Sequence, residues 1–247
     1  MTTDTPSCRF RHQGERCLSV DLGDHIDELT GLRCLALAER IKARRIEGVL
    51  DIVASFISVT VHYRPSAALS RDPAGFLQQL IQAEIDVLLE QGDAALGAIQ
   101  ARSVIIPVCY GGEHGPDLAE VATRMGMREQ DVITAHSASP VRVFLLGFAP
   151  GHPYIGIHDE RFAIPRRDTP RTAVPAGSVG IANRQSTIYP NRLPGGWQII
   201  GATPLRLFDP EAASPTLLNP GDQIIFKPIT DAQFRDLQTR PSEGPGA

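Results

Sequence analysis

Few residues in this 247-residue chain are placed to do chemistry, and the most conspicuous is a histidine set among glycines and prolines. In GFAPGHPYIG, Gly147 to Gly156, an imidazole titrating near ~6.5 has the pKa of a general base. Yet Gly147, Gly151 and Gly156 let the backbone bend while Pro150 and Pro153 stiffen it, so His152 equally reads as a flat ring packed in a turn. Cys109 and His114 in VCYGGEH pair a thiol with an imidazole, the combination that activates a thiolate, although Cys109 ends an apolar strand where cysteine is normally inert packing. AGSVG, Ala176 to Gly180, resembles the G-x-S-x-G nucleophile elbow. Ala176 replaces its first glycine and no helix follows, so Ser178 reads as a turn serine. His152 and His158 lack an HExxH pattern or a third ligand, and no metal site is expected. The two glycines of YGGEHGPD make either a backbone nest for an anion or a tight turn opening a helix at Asp117.

Anion chemistry has a stronger signal. Between Arg161 and Arg206 there are seven arginines (161, 166, 167, 171, 184, 192 and 206) and one acid, Asp168, so this stretch carries +6 in a chain whose formal net charge is −4. Planar guanidinium forks next to tight Gly/Pro turns suit a phosphate or carboxylate pocket; the alternative is a solvated face or a surface for an acidic partner. Only Lys42 and Lys227 are lysines, and neither follows a glycine-rich loop. That excludes a Walker A phosphate loop and argues against a biotinyl-lysine.

The elements that must position these residues fall into two patterns. CLSVDL places Leu18, Val20 and Leu22 on one face of a half-buried strand. Leu29 to Ile41 recur at helical spacing before a basic end and Gly48. VLDIVASFISVTVHY reads as two strands meeting near Ala54-Ser55. Asp72-Pro73 caps a helix whose apolar stripe runs from Phe76 to Leu89. With SVIIPV as a last strand the order is β-α-β-β-α-β, which predicts a ferredoxin-like α+β domain over 8–92. After Pro107, helical patterns at Asp117–Met125 and Arg128–His136 lead into VRVFLLGF and then short apolar stretches cut by Gly and Pro, the pattern of an all-β barrel, over 103–230. The boundary is expected within GDAALGAIQA, Gly92 to Ala101, and 231–247 as a disordered tail.

Composition narrows the class. Apolar residues make up 42% and charged residues 21%, which fits a globular chain, and the mildly acidic balance argues against a nucleic-acid binder. Four cysteines without CxxC spacing suit reduced thiols. With no long apolar run and no signal peptide pattern, a cytoplasmic protein away from membranes is expected.

IPVCYGGEHGPDL, GFAPGHPYIG, RTAVPAGSVGIA, IYP, PGGWQIIGATPLRLFDP and PGDQIIF, in that order, resemble the B-subunit family of bacterial ATP-dependent 5-oxoprolinase. That family also contains a sporulation-kinase inhibitor that acts on a histidine kinase, proteins labelled allophanate hydrolase subunit 1, and one half of the carboxyltransferase domain of urea carboxylase. The resemblance implies a cyclophilin-like barrel in a component that works only with a separate A-subunit plus a homologous-fold C-subunit. It also implies ATP as a shared cofactor and 5-oxo-L-proline as the small-molecule substrate opened to L-glutamate. It assigns Arg166, Arg171 and Arg184 as anion contacts, Gln185 and Tyr189 as orienting hydrogen-bonders, and PGGW (Gly195, Gly196 and Trp197 within it) as pocket wall beside His152. Relatives often carry Phe at the place of His152, and a glycine-rich stretch where this chain has NRQST, Asn183 to Thr187.

Overall fold

The computed structural model describes residues 8–65, 71–92, 96 and 102–239, and the chain divides into two compact units, 1–100 and 101–247. The stretch expected to hold the boundary, 92–101, lies largely outside the described residues.

Among the described residues, the first unit is a four-stranded antiparallel sheet with two helices. Its strands are β1 (Arg9–His12), β2 (Cys17–Asp21), β3 (Val49–Ala54) and β4 (Ser58–Tyr63), and its helices are α1 (Glu28–Ala43) and α2 (Pro73–Gln91). Both helices start where side chains cap them: Asp27 accepts from the Thr30 amide at 2.9 Å and Asp72 from the Gly75 amide at 3.1 Å. The strand order is β1-β2-β4-β3. This corrects the expected ferredoxin-like order, because the edge beside β2 is taken by Arg9–His12 from the N-terminal side, not by SVIIPV. The short, polar RFRH pairs because Arg9 and Arg11 both reach the buried carboxylate of Asp21, the latter at 2.6 Å. β2 is therefore buried on both faces rather than half-buried, with Ser19 Oγ 2.7 Å from Thr60 Oγ1. The stripe of α2 also needs revision: Phe76 is exposed, and Glu84 is buried where it receives Arg40 of α1 and Arg44 just after it.

The second unit is a closed seven-stranded barrel among the described residues. β5 (Ser103–Tyr110), β6 (Val141–Leu146), β7 (Pro153–Gly156), β9 (Ser178–Ala182), β10 (Gln185–Ile188), β12 (Gln198–Ala202) and β13 (Gln223–Pro228) close in the order β10-β7-β6-β13-β5-β12-β9, with only β13 and β5 parallel. A separate two-stranded ribbon joins β8 (Arg171–Val174) to β11 (Leu193–Gly195). Helices α3 (Leu118–Met125) and α4 (Glu129–Ser137) follow β5 and contribute Leu118, Val121 and Val132 to the apolar barrel core of Val108, Val143, Ile155, Ile181 and Phe226. The tail expected to be disordered from 231 instead begins with a helix, α5 (Asp231–Thr239), held because Phe234 buries against Cys109 and Ala202. Residues 240–247 lie outside the described ones.

Candidate functional site

Strand alternation creates two environments along β9 and β10. Val179, Ile181 and Ile188 point into the barrel core, whereas Ala182 and Tyr189 belong to a second apolar cluster with Val174, Trp197 and Ile199, against which Tyr154 and Leu193 pack. Gly180 lies on that second face, where a Cβ would stand 2.7 Å from the Trp197 Cβ, so a side chain there would push Trp197 away. The turn before β7 brings His152 onto the same face. Its ring centroid is 5.3 Å from Tyr154, 5.3 Å from Tyr189 and 5.5 Å from Phe148, and Tyr154 meets Trp197 at 6.0 Å. The Arg166 guanidinium stacks 5.0 Å from the Trp197 ring centroid, a cation–π contact. Gly195 has no room for a side chain because the Tyr189 hydroxyl occupies that space. The result is a second, largely buried aromatic cluster on the face of β9 and β10 opposite the barrel core, with one guanidinium stacked on it and, of its rings, only Phe148 exposed.

Electrostatics decide what these groups can do. His152 is buried, and burial lowers its pKa to about 4, helped by the Arg166 charge. Thr187 Oγ1 donates to the Pro153 carbonyl at 2.8 Å, so a nitrogen of His152, 3.1 Å away, acts as the donor toward it. A neutral imidazole with so low a pKa is a poor general base. Burial pushes the Tyr189 hydroxyl up to about 12, against an opposing hydrogen bond from the Trp197 amide, and its own proton finds no acceptor among the described residues. A buried phenol proton without an acceptor is costly and marks a position where a ligand group gains more than it would in water.

Six of the expected residues, His152, Arg166, Tyr189, Gly195, Gly196 and Trp197, share this patch. Gln185 sits at the end of β10, half-buried, opposite Gly156 and Ala182. Arg171 stands apart in role: its guanidinium grips Asp117 through two bonds of 2.9 and 2.7 Å, and Arg167 adds a third at 3.0 Å. The anion it holds among the described residues is the protein's own carboxylate. Arg184 is the second residue of the two-residue turn between β9 and β10, where Asn183 has φ 50° and Arg184 φ 64°. Such a type I′ turn favours Asn-Gly; Arg184 is held in it by donating Nε to the His158 carbonyl at 2.9 Å while its own carbonyl accepts from the His158 amide at 2.8 Å. The arginine-rich stretch is largely neutralised in space, since Arg161 pairs with Asp159 and Arg206 with Asp209. Arg166, Arg184 and Arg192 form no ion pair among the described residues.

The other look-alikes resolve as structure. Burial pushes the Cys109 thiol up, and the charges of Asp231 and Glu113 push it further, opposite to an activated thiolate. His114 lies 3.2 Å from Asp231 and 4.0 Å from Glu113, a grouping explained by ion pairing, since Asp231 also receives Arg235 at 2.8 Å. Ser178 is buried in β9. The Gly111 amide is spent on the Ile200 carbonyl at 3.0 Å, so YGGEHGPD is a turn leading to α3 and not an anion nest. Spacing marked Asp117 only as the start of a helix and gave no sign of its ion pairs, nor of a buried chain in which Tyr110 Oη lies 2.8 Å from His136 Nδ1, and Ser186 Oγ lies 2.8 Å from His136 Nε2 and 2.7 Å from His158 Nε2. Its members come from four separated elements.

With the fold and this face described, the chain can be placed among known proteins. It belongs to the family described as carboxyltransferase domain, subdomain C and D, which matches residues 8–218. Within that class it is 38% identical to the 5-oxoprolinase B-subunit of Bacillus subtilis, over 90% of this chain and 92% of that one. It is 39% identical to the 5-oxoprolinase B-subunit of Escherichia coli O157:H7, over 87% and 93%. The solved structure of TTHA0988 superposes with a TM-score of 0.72 at 34% identity over 87% of this chain, which spans 40% of that one. Among the described residues, no helix is long and apolar enough to cross a membrane.

Proposed function

We propose that this chain is the B-subunit of a cytoplasmic, ATP-dependent 5-oxoprolinase, and that it contributes the aromatic patch on its cyclophilin-like barrel to a site completed by partners of the A-subunit type and the C-subunit type. The observation carrying this reading is the buried Tyr189 hydroxyl, packed beside His152, whose proton has no acceptor among the described residues, with relatives named for the same component. A lactam is a weak electrophile. Transfer of the ATP γ-phosphoryl to the lactam oxygen, with ADP leaving, makes the ring carbon open to water; collapse of the adduct expels the amine and leaves an acyl phosphate, from which a second water releases phosphate and glutamate. In this scheme Arg166 and Arg184 face the developing phosphoryl charge, Tyr189 and Gln185 orient the substrate, and Phe148, Tyr154 and Trp197 exclude water. His152 supplies a ring and no proton. Arg171 has no part in it, being committed to Asp117.

Trp197 is the only tryptophan and reports on this face alone. In the assembled complex its emission is expected to shift on adding 5-oxoproline or ATP. Unchanged emission at saturation, with binding confirmed by calorimetry, would move the ligand to another surface.

A further inference from the structure

We infer that the buried chain Tyr110–His136–Ser186–His158 is a positioning device that holds the Arg184–Tyr189 segment in register from inside the barrel. The inference rests on the outer aromatic face being the site, and it concerns what holds that face in place rather than what binds there.

Hydrogen-bond bookkeeping gives the chain a direction. Ser186 is fully buried and has one hydroxyl proton, yet it lies within hydrogen-bond distance of Nε2 on both histidines, at 2.8 and 2.7 Å. It must therefore donate to one imidazole and accept from the other. Tyr110 has one described partner for its hydroxyl, His136 Nδ1 at 2.8 Å, so its proton points there. His136 then carries its own proton on Nε2 and donates it to Ser186, and Ser186 donates to His158 Nε2, leaving the His158 proton on Nδ1. The reverse direction would bury the tyrosine proton unpaired. The rings are locked sideways as well: His136 stacks on His158 at 5.0 Å and packs on Phe226 at 4.3 Å, and His158 packs on Phe162 at 5.3 Å. A group with this polarity accepts only one arrangement of its four members.

Two outputs of the chain reach the outer face. Ser186 is followed in β10 by Thr187, whose hydroxyl fastens the turn bearing His152 through the Pro153 carbonyl, so consecutive residues pin one strand from inside and outside. At the other end, the backbone of His158 exchanges two hydrogen bonds with Arg184, which fixes a guanidinium whose turn conformation is unfavourable for a non-glycine residue. Support of this indirect kind decides whether a site is held tightly enough to act.

The test uses the full chain without ligand, so it stands apart from the proposed activity. Long-range ¹⁵N–¹H spectra at neutral pH are expected to show two neutral histidines of opposite tautomer, His136 protonated on Nε2 and His158 on Nδ1; the same tautomer on both, or a charged ring, overturns the chain. Ser186→Ala is expected to remove the His158 preference and raise acrylamide quenching of Trp197 by about twofold or more as the face loosens, and Ser186→Thr to restore both. A folded Ser186→Ala protein with unchanged quenching overturns the positioning role. Should Ser186→Ala fail to fold, Tyr110→Phe removes only the terminal donor: mixed His136 tautomers are expected, and an unaltered His136 spectrum overturns the assigned direction.

Discussion

Replacing Asp117 with alanine is expected to cost about 3–5 kcal/mol of stability, the range for stripping one partner from a buried ion pair. Its carboxylate is 5% exposed and accepts from Arg171 twice, from Arg167, and from the Ile199 amide at 2.6 Å. The Asp117 amide in turn donates to the Ile199 carbonyl at 2.9 Å, so one residue clips the start of α3 to β12 beside Trp197. Without it, two guanidinium groups and a buried amide lose their acceptor together. Asp117→Asn keeps the shape and the amide bond, and it should cost less. Asp209→Ala, which removes a more exposed pair with Arg206, should fall within about 1 kcal/mol of the parent. Urea midpoints of the three variants measure this ranking; an Asp117→Ala loss no larger than that of Asp209→Ala would show that the arginines find other partners.

Acid should destabilise the barrel well before its carboxylates titrate. Burial lowers the pKa of His136, His152 and His158; the latter two fall to about 4. All three rings are neutral in the folded protein near pH 7, whereas in the unfolded chain they titrate near ~6.5. As the pH falls below that value the unfolded state therefore takes up protons first, and stability drops until the folded pKa is reached. By pH 5 this amounts to about 2 kcal/mol for His152 and for His158, a large share of a typical domain's total. Unfolding free energies from pH 7 to 5 should fall with a slope of more than one proton, and His152→Phe, which keeps the ring and removes the titration, should flatten it by about one. A level profile over that range would mean the rings are hydrated or already charged.

The elements were legible where the signal is local. Asp72-Pro73 caps the helix it announces, and the Gly/Pro-cut apolar stretches after Pro107 form the barrel. The errors arose where distant chain segments compete for an edge. SVIIPV pairs in parallel with residues 223–228 rather than with the N-terminal sheet, and RFRH becomes a strand through the charge of Asp21 rather than through apolar periodicity. The site behaved alike. His152 stood out as a ring among glycines, Tyr189 and Trp197 came from the family resemblance, and the three share one cluster. Arg171 stood out as a cation among cations, and its acceptor lies 54 residues earlier in the chain. Ser186 was visible only as part of an unusual loop; its two imidazoles approach from α4 and from the segment after β7, which no spacing rule connects.

Phosphate release from ATP dependent on 5-oxoproline, measured on the purified chain alone and on the chain co-expressed with partners of the A-subunit type and the C-subunit type, is the most direct measurement. The expected result is no turnover by the lone chain and turnover by the assembly, diminished when Arg166 is replaced by alanine. Full turnover by the chain alone, or none by a correctly assembled complex, would contradict its place as one component of a multi-subunit 5-oxoprolinase.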